Sequence, residues 1–212
     1  MVIEVYVELG VKRGFACALD WPGWCRSGRD EKQALETLAA YAPRYAIVAA
    51  EAGFPLTPDA AQFEVVDHVA GNGTTDFGAP AGIVDSDNTW VTDEAAERLA
   101  ELVAASWRVF DRVAAGAPAE LRKGPRGGGR DRDKIVEHVL GADTMYARRI
   151  GVRRSQPAIG DEAGIERLRE AMLEALREQV LEAMGNPWPA QYAARRIAWH
   201  VLDHAWEIED RS

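Results

Sequence analysis

The sequence predicts an α+β fold: a small α/β module over residues 1–70, a connector at 71–91 and a four-helix bundle at 92–212. Two changes of texture carry that reading. The first sixty or so residues hold short runs that alternate apolar and polar side chains in β-branched and aromatic company. From Thr92 onward the apolar residues instead recur at helical spacing, and a stretch rich in Gly, Asn and Asp separates the two. With 212 residues and 47% hydrophobic content the chain is long enough to bury a core in one or two domains. No charge-free apolar run is long enough to span a bilayer.

"IEVYVELG" and "GFACALDW" read as two strands of a hairpin, with Gly10 to Gly14 as the turn. "WPGW" is a second turn, and "WCRSG" a third short strand. "RDEKQALETLAAYAPRYAIVAAEAG" then carries a helical stripe through Ala34, Leu35, Leu38, Tyr41 and Tyr45, which Pro43 should kink or interrupt. "AQFEVVDHVAG" is one more strand, and "GNGTTDFGAPAGIVDSDN" the connector. Cys17 and Cys25 are too few for a disulfide framework and lack zinc-ribbon partners, so they read as reduced and structural; the alternative is that they face one another across a hairpin. The segment "ALDWPGWCRSGRDEKQALETL", with a Pro-Gly turn before a Cys and a Gly just ahead of the helix, resembles the HicB-like antitoxin domain. The resemblance covers about a quarter of the chain and implies a small α/β module that often serves in binding. No HicA-like toxin is encoded here, so an antitoxin function does not follow.

In the second part Thr92 is placed to cap a helix with Leu99, Leu102, Val103, Phe110 and Val113 inward, ended by "AAGAP". The breaker-rich "RKGPRGGGRDRD" follows. Asp131 or Asp133 caps a second helix, which stops at Gly151. A third runs from about Asp161 to Met184, with Ile165, Leu168, Met172, Leu176 and Val180 on one face, until "GNPWP" breaks it. The fourth spans roughly Ala190 to Asp210. Four helices joined by short to medium loops are what a bundle requires.

Two of only four histidines stand four apart in "AWHVLDHAWEIEDR". On a helix, residues i and i+4 share a face with Cβ atoms about 6 Å apart, so the imidazoles of His200 and His204 can converge on one ion. His138, in the early turns of the second bundle helix, can join them from a neighbouring helix. Three neutral imidazoles suit zinc, nickel, iron or copper and leave a coordination position open, whereas structural zinc sites are usually closed by four ligands. His68, in a strand outside the bundle, reads as structural or surface.

"DRDKIVEHVLGADTMYARRIG" and "RRIAWHVLDHAWEIED" together resemble DinB-like four-helix bundles, in which one histidine precedes an aromatic residue and an Arg-Arg-x-Gly ending, and a second helix carries H-x3-H. The resemblance covers Thr92 to the C-terminus, somewhat over half the chain. It implies a metal triad at His138, His200 and His204. Relatives of that family include thiol-dependent S-transferases and a mycothiol-dependent isomerase, which implies a divalent metal, zinc or nickel before iron, and a low-molecular-weight thiol. A bound cation favours thiolate, the nucleophilic form, over thiol, although the same centre can activate water for hydrolysis.

Candidate helpers each have a plainer reading beside the functional one. Glu207 extends the histidine stripe as a fourth ligand, an acceptor behind an imidazole or an acid/base, or else is a salt-bridged helix residue. Arg196 can bind a carboxylate of a thiol cofactor or form a surface ion pair. Tyr146 supplies a hydroxyl or simply packs. Asp203 orients an imidazole or faces solvent. The "KGPRGGGRDRD" loop lacks the P-loop order and does not follow a strand; it is a connector or a lid that favours acidic ligands. The arginines of "ARRIGVRR" offset a helix macrodipole.

A net charge of −9 argues against a nucleic-acid footprint. The sequence start lacks the pattern of a secretory signal, so a cytoplasmic protein is expected, with no membrane role and with a homodimer as one arrangement. The expected partners are a small-molecule thiol and an electrophile. The alternative is a non-catalytic binding or stress-response protein, with metal fixing the bundle and the N-terminal module recruiting a partner.

Overall fold

The β-branched run of β1 (Val2–Leu9) pairs antiparallel with β2 (Gly14–Ala18), and β2 pairs antiparallel with β3 (Cys25–Gly28). The chain then forms α1 (Glu31–Ala40) and α2 (Ala42–Glu51) before β4 (Gln62–Ala70) returns alongside β1 in parallel. The sheet order is therefore β3-β2-β1-β4. This computed structural model describes residues 1–124, 128–179 and 188–212.

Local chemistry accounts for the element ends. Asp30 caps α1 by accepting from the Gln33 amide at 2.8 Å. Pro43 stands in the first turn of α2, where its missing N–H costs nothing, so the helical stripe is divided at Tyr41 as its sequence predicts. Where β3 runs under α1, a Cβ on Gly28 would lie 2.2 Å from the Ala34 nitrogen, so only glycine allows that approach.

The register of β2 and β3 sets Cys17 opposite Cys25 with Cα atoms 4.0 Å apart, and the two form a disulfide. This corrects the expectation of reduced thiols. The strand pairing that delivers the two sulfurs to one another is a tertiary fact, and it realises the hairpin alternative.

The bundle comprises α4 (Asp93–Gly116), α5 (Arg132–Arg149), α6 (Glu162–Arg177) and α7 (Ala190–Arg211). Thr92 caps α4 through the Ala95 amide, and Asp161 caps α6 through the Gly164 amide. Asp131 holds the cap position of α5, but its carboxylate turns away to Leu121 N and Lys123 Nζ. The α6 helix stops at Arg177, short of the expected Met184, and Gln179 just beyond adopts φ 51°. Gln179 then exchanges two hydrogen bonds with the backbone of Val91, at 3.0 and 2.9 Å. Val180 to Met184 and most of "GNPWP" lie outside the described residues.

Helices α4 and α7 form a central layer with two apolar faces. One face, including Val103, Phe110, Ile197 and Val201, packs with α5 and α6. The other, Leu102, Ala105, Val109, Leu202 and Trp206, joins Ile3, Val5 and Val7 of β1 and the inner residues of α1 and α2 in a second core. The arginine–carboxylate pairs Arg26–Asp203 and Arg44–Asp210 tie the N-terminal part to α7.

The segment expected to be a plain connector is built into the fold. It contains α3 (Gly73–Phe77), capped by Asn72, and a 3-10 turn at Asp85–Asn88. Fully buried Glu8 holds it by accepting from Thr75 Oγ1 and from the amides of Ala81 and Gly82. Asp87 is buried against Arg195 of α7, with oxygens 2.5 and 2.7 Å from Nη2. Among the described residues no helix is long and apolar enough to cross a membrane.

Candidate metal centre

His138 lies in the second turn of α5, and His200 and His204 lie on successive turns of α7. Ile135, Val139 and Ala142 of α5 share one apolar core with Ala193, Ile197 and Val201 of α7. The three histidines lie where α5 and α7 meet.

The ring centroids are 5.0 Å apart for His138–His200, 4.9 Å for His138–His204 and 4.7 Å for His200–His204. One nitrogen from each ring falls within 4.8 Å of the others. The Nε2 atoms of His138 and His200 are 3.2 Å apart. Two nitrogens bound at about 2.05 Å to one tetrahedral ion stand about 3.3 Å apart, so this pair already has the spacing of a chelate. His200 is 8% exposed, whereas His138 and His204 are half-buried, so the centre sits at the bundle surface with one side open.

Burial depresses the His138 pKa below its ordinary value, and depresses that of His200 further; neighbouring His204 and the Arg130 cation act in the same direction. Both imidazoles are therefore held neutral, the form that ligates. His204 presents Nε2 to the centre because its Nδ1 is 2.8 Å from Glu207 Oε2. Glu207 Oε1 accepts from Arg211 Nη1 at 2.6 Å. Its pKa is held down, first by the bond to His204. With both oxygens engaged behind the ring, Glu207 orients an imidazole. These residues fit a divalent cation: three imidazole nitrogens that converge, one of the rings backed by a carboxylate.

The remaining candidates divide. Among the described residues Arg196 forms no ion pair: its guanidinium carbon lies 4.8 Å from the Trp199 ring centre and 5.6 Å from that of Tyr146, and its buried Nη1 has no partner. Tyr146 is buried with its ring edge-on to His200 at 5.6 Å, and burial raises its pKa, so the phenol stays protonated. Asp203 is taken by Arg26 at 2.9 Å and does not orient an imidazole. His68 lies on β4 beside Glu31, away from the centre.

Sequence reasoning passed over Trp188, whose ring is tilted by 40° against Tyr146 at 5.1 Å and lies edge-on to Tyr192 at 5.1 Å, extending the aromatic wall beside Arg196. The aromatic spacing of "WPAQYAARRIAW" was the available signal. Comparison with protein-family models, with curated proteins and with solved structures returns no match to the chain.

Proposed function

We propose that the protein binds a divalent cation, zinc or nickel before iron, through His138, His200 and His204, and catalyses transfer of a low-molecular-weight thiol to a small electrophile in the manner of DinB-like bundles. The single observation that supports this reading is the convergence of three imidazoles from two separate helices, with one pair of nitrogens already 3.2 Å apart. When bound, the cation favours thiolate over thiol and so supplies the nucleophile at neutral pH.

The chain's own residues provide the surroundings. Glu207 fixes the His204 tautomer, and the Tyr146, Trp188 and Trp199 rings restrict water on the side of His200. Arg196 offers an N–H that has no partner among the described residues within that wall, and the Tyr146 hydroxyl is a second donor there. In the reaction the thiol sulfur bonds to the electrophilic carbon, the leaving group departs with the displaced electron pair, and the thiol proton passes to solvent. Such chemistry suits a cytoplasmic thiol pool, from which the Cys17–Cys25 bond is shielded by burial.

Elemental analysis of the purified chain tests the proposal. One divalent ion per chain is expected, with loss in both His200→Ala and His204→Ala variants that retain native circular dichroism. Unchanged metal content in those variants overturns it. Thiol-dependent turnover of an electrophile panel then tests the transfer chemistry.

A further inference from the structure

Beside α5 runs an open groove of about 530 Å³ with His138 in its wall. Arg130 and Lys134 lie toward one end of α5, and Gly141, Met145 and Gln156 extend the groove beyond His138. We infer that this groove is the ligand channel of the histidine centre, and that it selects small molecules bearing a carboxylate, which Arg130 receives while the reacting group faces His138. The inference rests on the metal-centre reading above and adds the class of ligand.

Charge carries the argument first. Lys134 is neutralised by Glu137 at 2.8 Å. Arg130 has no hydrogen bond or ion pair among the described residues, although the chain as a whole carries −9. Arg130 shares the wall of this groove with His138. A guanidinium fork with no protein partner matches the two oxygens of a carboxylate.

Positioning comes next. Gly129 has φ +120°, and a Cβ there would lie 2.6 Å from Arg211 Nη2. The backbone before Arg130 thus rests on the same guanidinium that holds Glu207, which in turn holds His204. Arg211 also donates to the Arg122 carbonyl at 2.8 Å, so the chain on both sides of the loop is laced to the end of α7.

Shape agrees. Gly141 lies in the interior of α5, where glycine costs about 1 kcal/mol relative to alanine. A Cβ would stand 3.4 Å from Gln156 Oε1 and fill space between the helix and that amide. Gly141 and exposed Met145 therefore line the groove beyond His138, with Met145 as an apolar surface for a short alkyl chain.

The test follows the backbone amides of Gly141, Met145 and Gln156 by heteronuclear NMR in the full chain, metal-free and zinc-loaded, during titration with 3-mercaptopropionate or its methyl ester. The acid is expected to bind about tenfold more tightly than the ester, the order of one charge-assisted hydrogen bond. Arg130→Gln should abolish that preference and leave ester binding unchanged, while Lys134→Gln should keep it. Equal binding of acid and ester by the wild type, or a preference that survives Arg130→Gln, overturns the inference. Failure of zinc uptake strikes the metal reading instead. The metal-free titration then decides the groove by the same criterion: an Arg130-dependent preference for the acid supports the inference, and its absence refutes it.

Discussion

Asp143 is buried in α5 with only one oxygen engaged: Trp107 Nε1 of α4 donates to Oδ2 at 3.0 Å, and Oδ1 has no partner among the described residues. Burial pushes its carboxyl up to about 7 from an ordinary 3.8. The nearby Arg169 cation and the Trp107 bond oppose that shift, while Asp111 adds to it. Tyr146, on the same helix, is the other titratable group coupled to it, and it stays protonated.

Between pH 4 and 7 the unfolded chain loses this proton while the folded protein keeps it. The folded state therefore binds more protons, and the stability associated with Asp143, fully present below pH 4, is lost as pH rises toward 7. A shift of about 3 pKa units corresponds to about 4 kcal/mol, an upper figure for a site that can relax on ionisation.

Asp143→Asn removes the titration and keeps an oxygen for Trp107. In urea unfolding at a series of pH values, with chelator present, the difference in stability between variant and wild type should move in the variant's favour by up to about 4 kcal/mol from pH 4 to pH 8. Comparing two chains that share every other titrating group isolates the carboxyl. A difference that stays flat across that range, or that favours the wild type increasingly with pH, refutes the reasoning.

Asp87→Ala leaves the Arg195 guanidinium buried without its carboxylate, and should cost about 3–5 kcal/mol in urea unfolding; a loss below about 1 kcal/mol would show that the pair is not stabilising the connector. Glu207→Gln retains the shape beside His204 Nδ1 but not the charge, and should weaken zinc or nickel affinity about 10–100-fold in competition with a chromophoric chelator. Unaltered affinity would remove Glu207 from the centre.

Much of the secondary structure was legible because its causes are local. Thr92 and Asp161 are capping residues that satisfy amides three positions on, and Pro43 divides a helix wherever that sequence occurs. The i, i+4 spacing of His200 and His204 likewise makes them neighbours on any helix. The α6 terminus was less legible: Gln179 turns to bind Val91, a partner 88 positions away.

What remained depends on which surfaces meet. That His138 comes within 3.2 Å of His200 depends on how α5 packs against α7, and helical periodicity does not encode that register. The Cys17–Cys25 bond needs the β2–β3 register, Asp87 becomes buried only when the connector closes over Arg195, and the open side of Arg130 depends on a loop seated against Arg211. Periodicity, capping and helix spacing act within a few residues, so the chain alone determined its elements and one edge of the candidate centre. The third imidazole, the buried charges and the groove are pairings between distant segments, and these only packing decides.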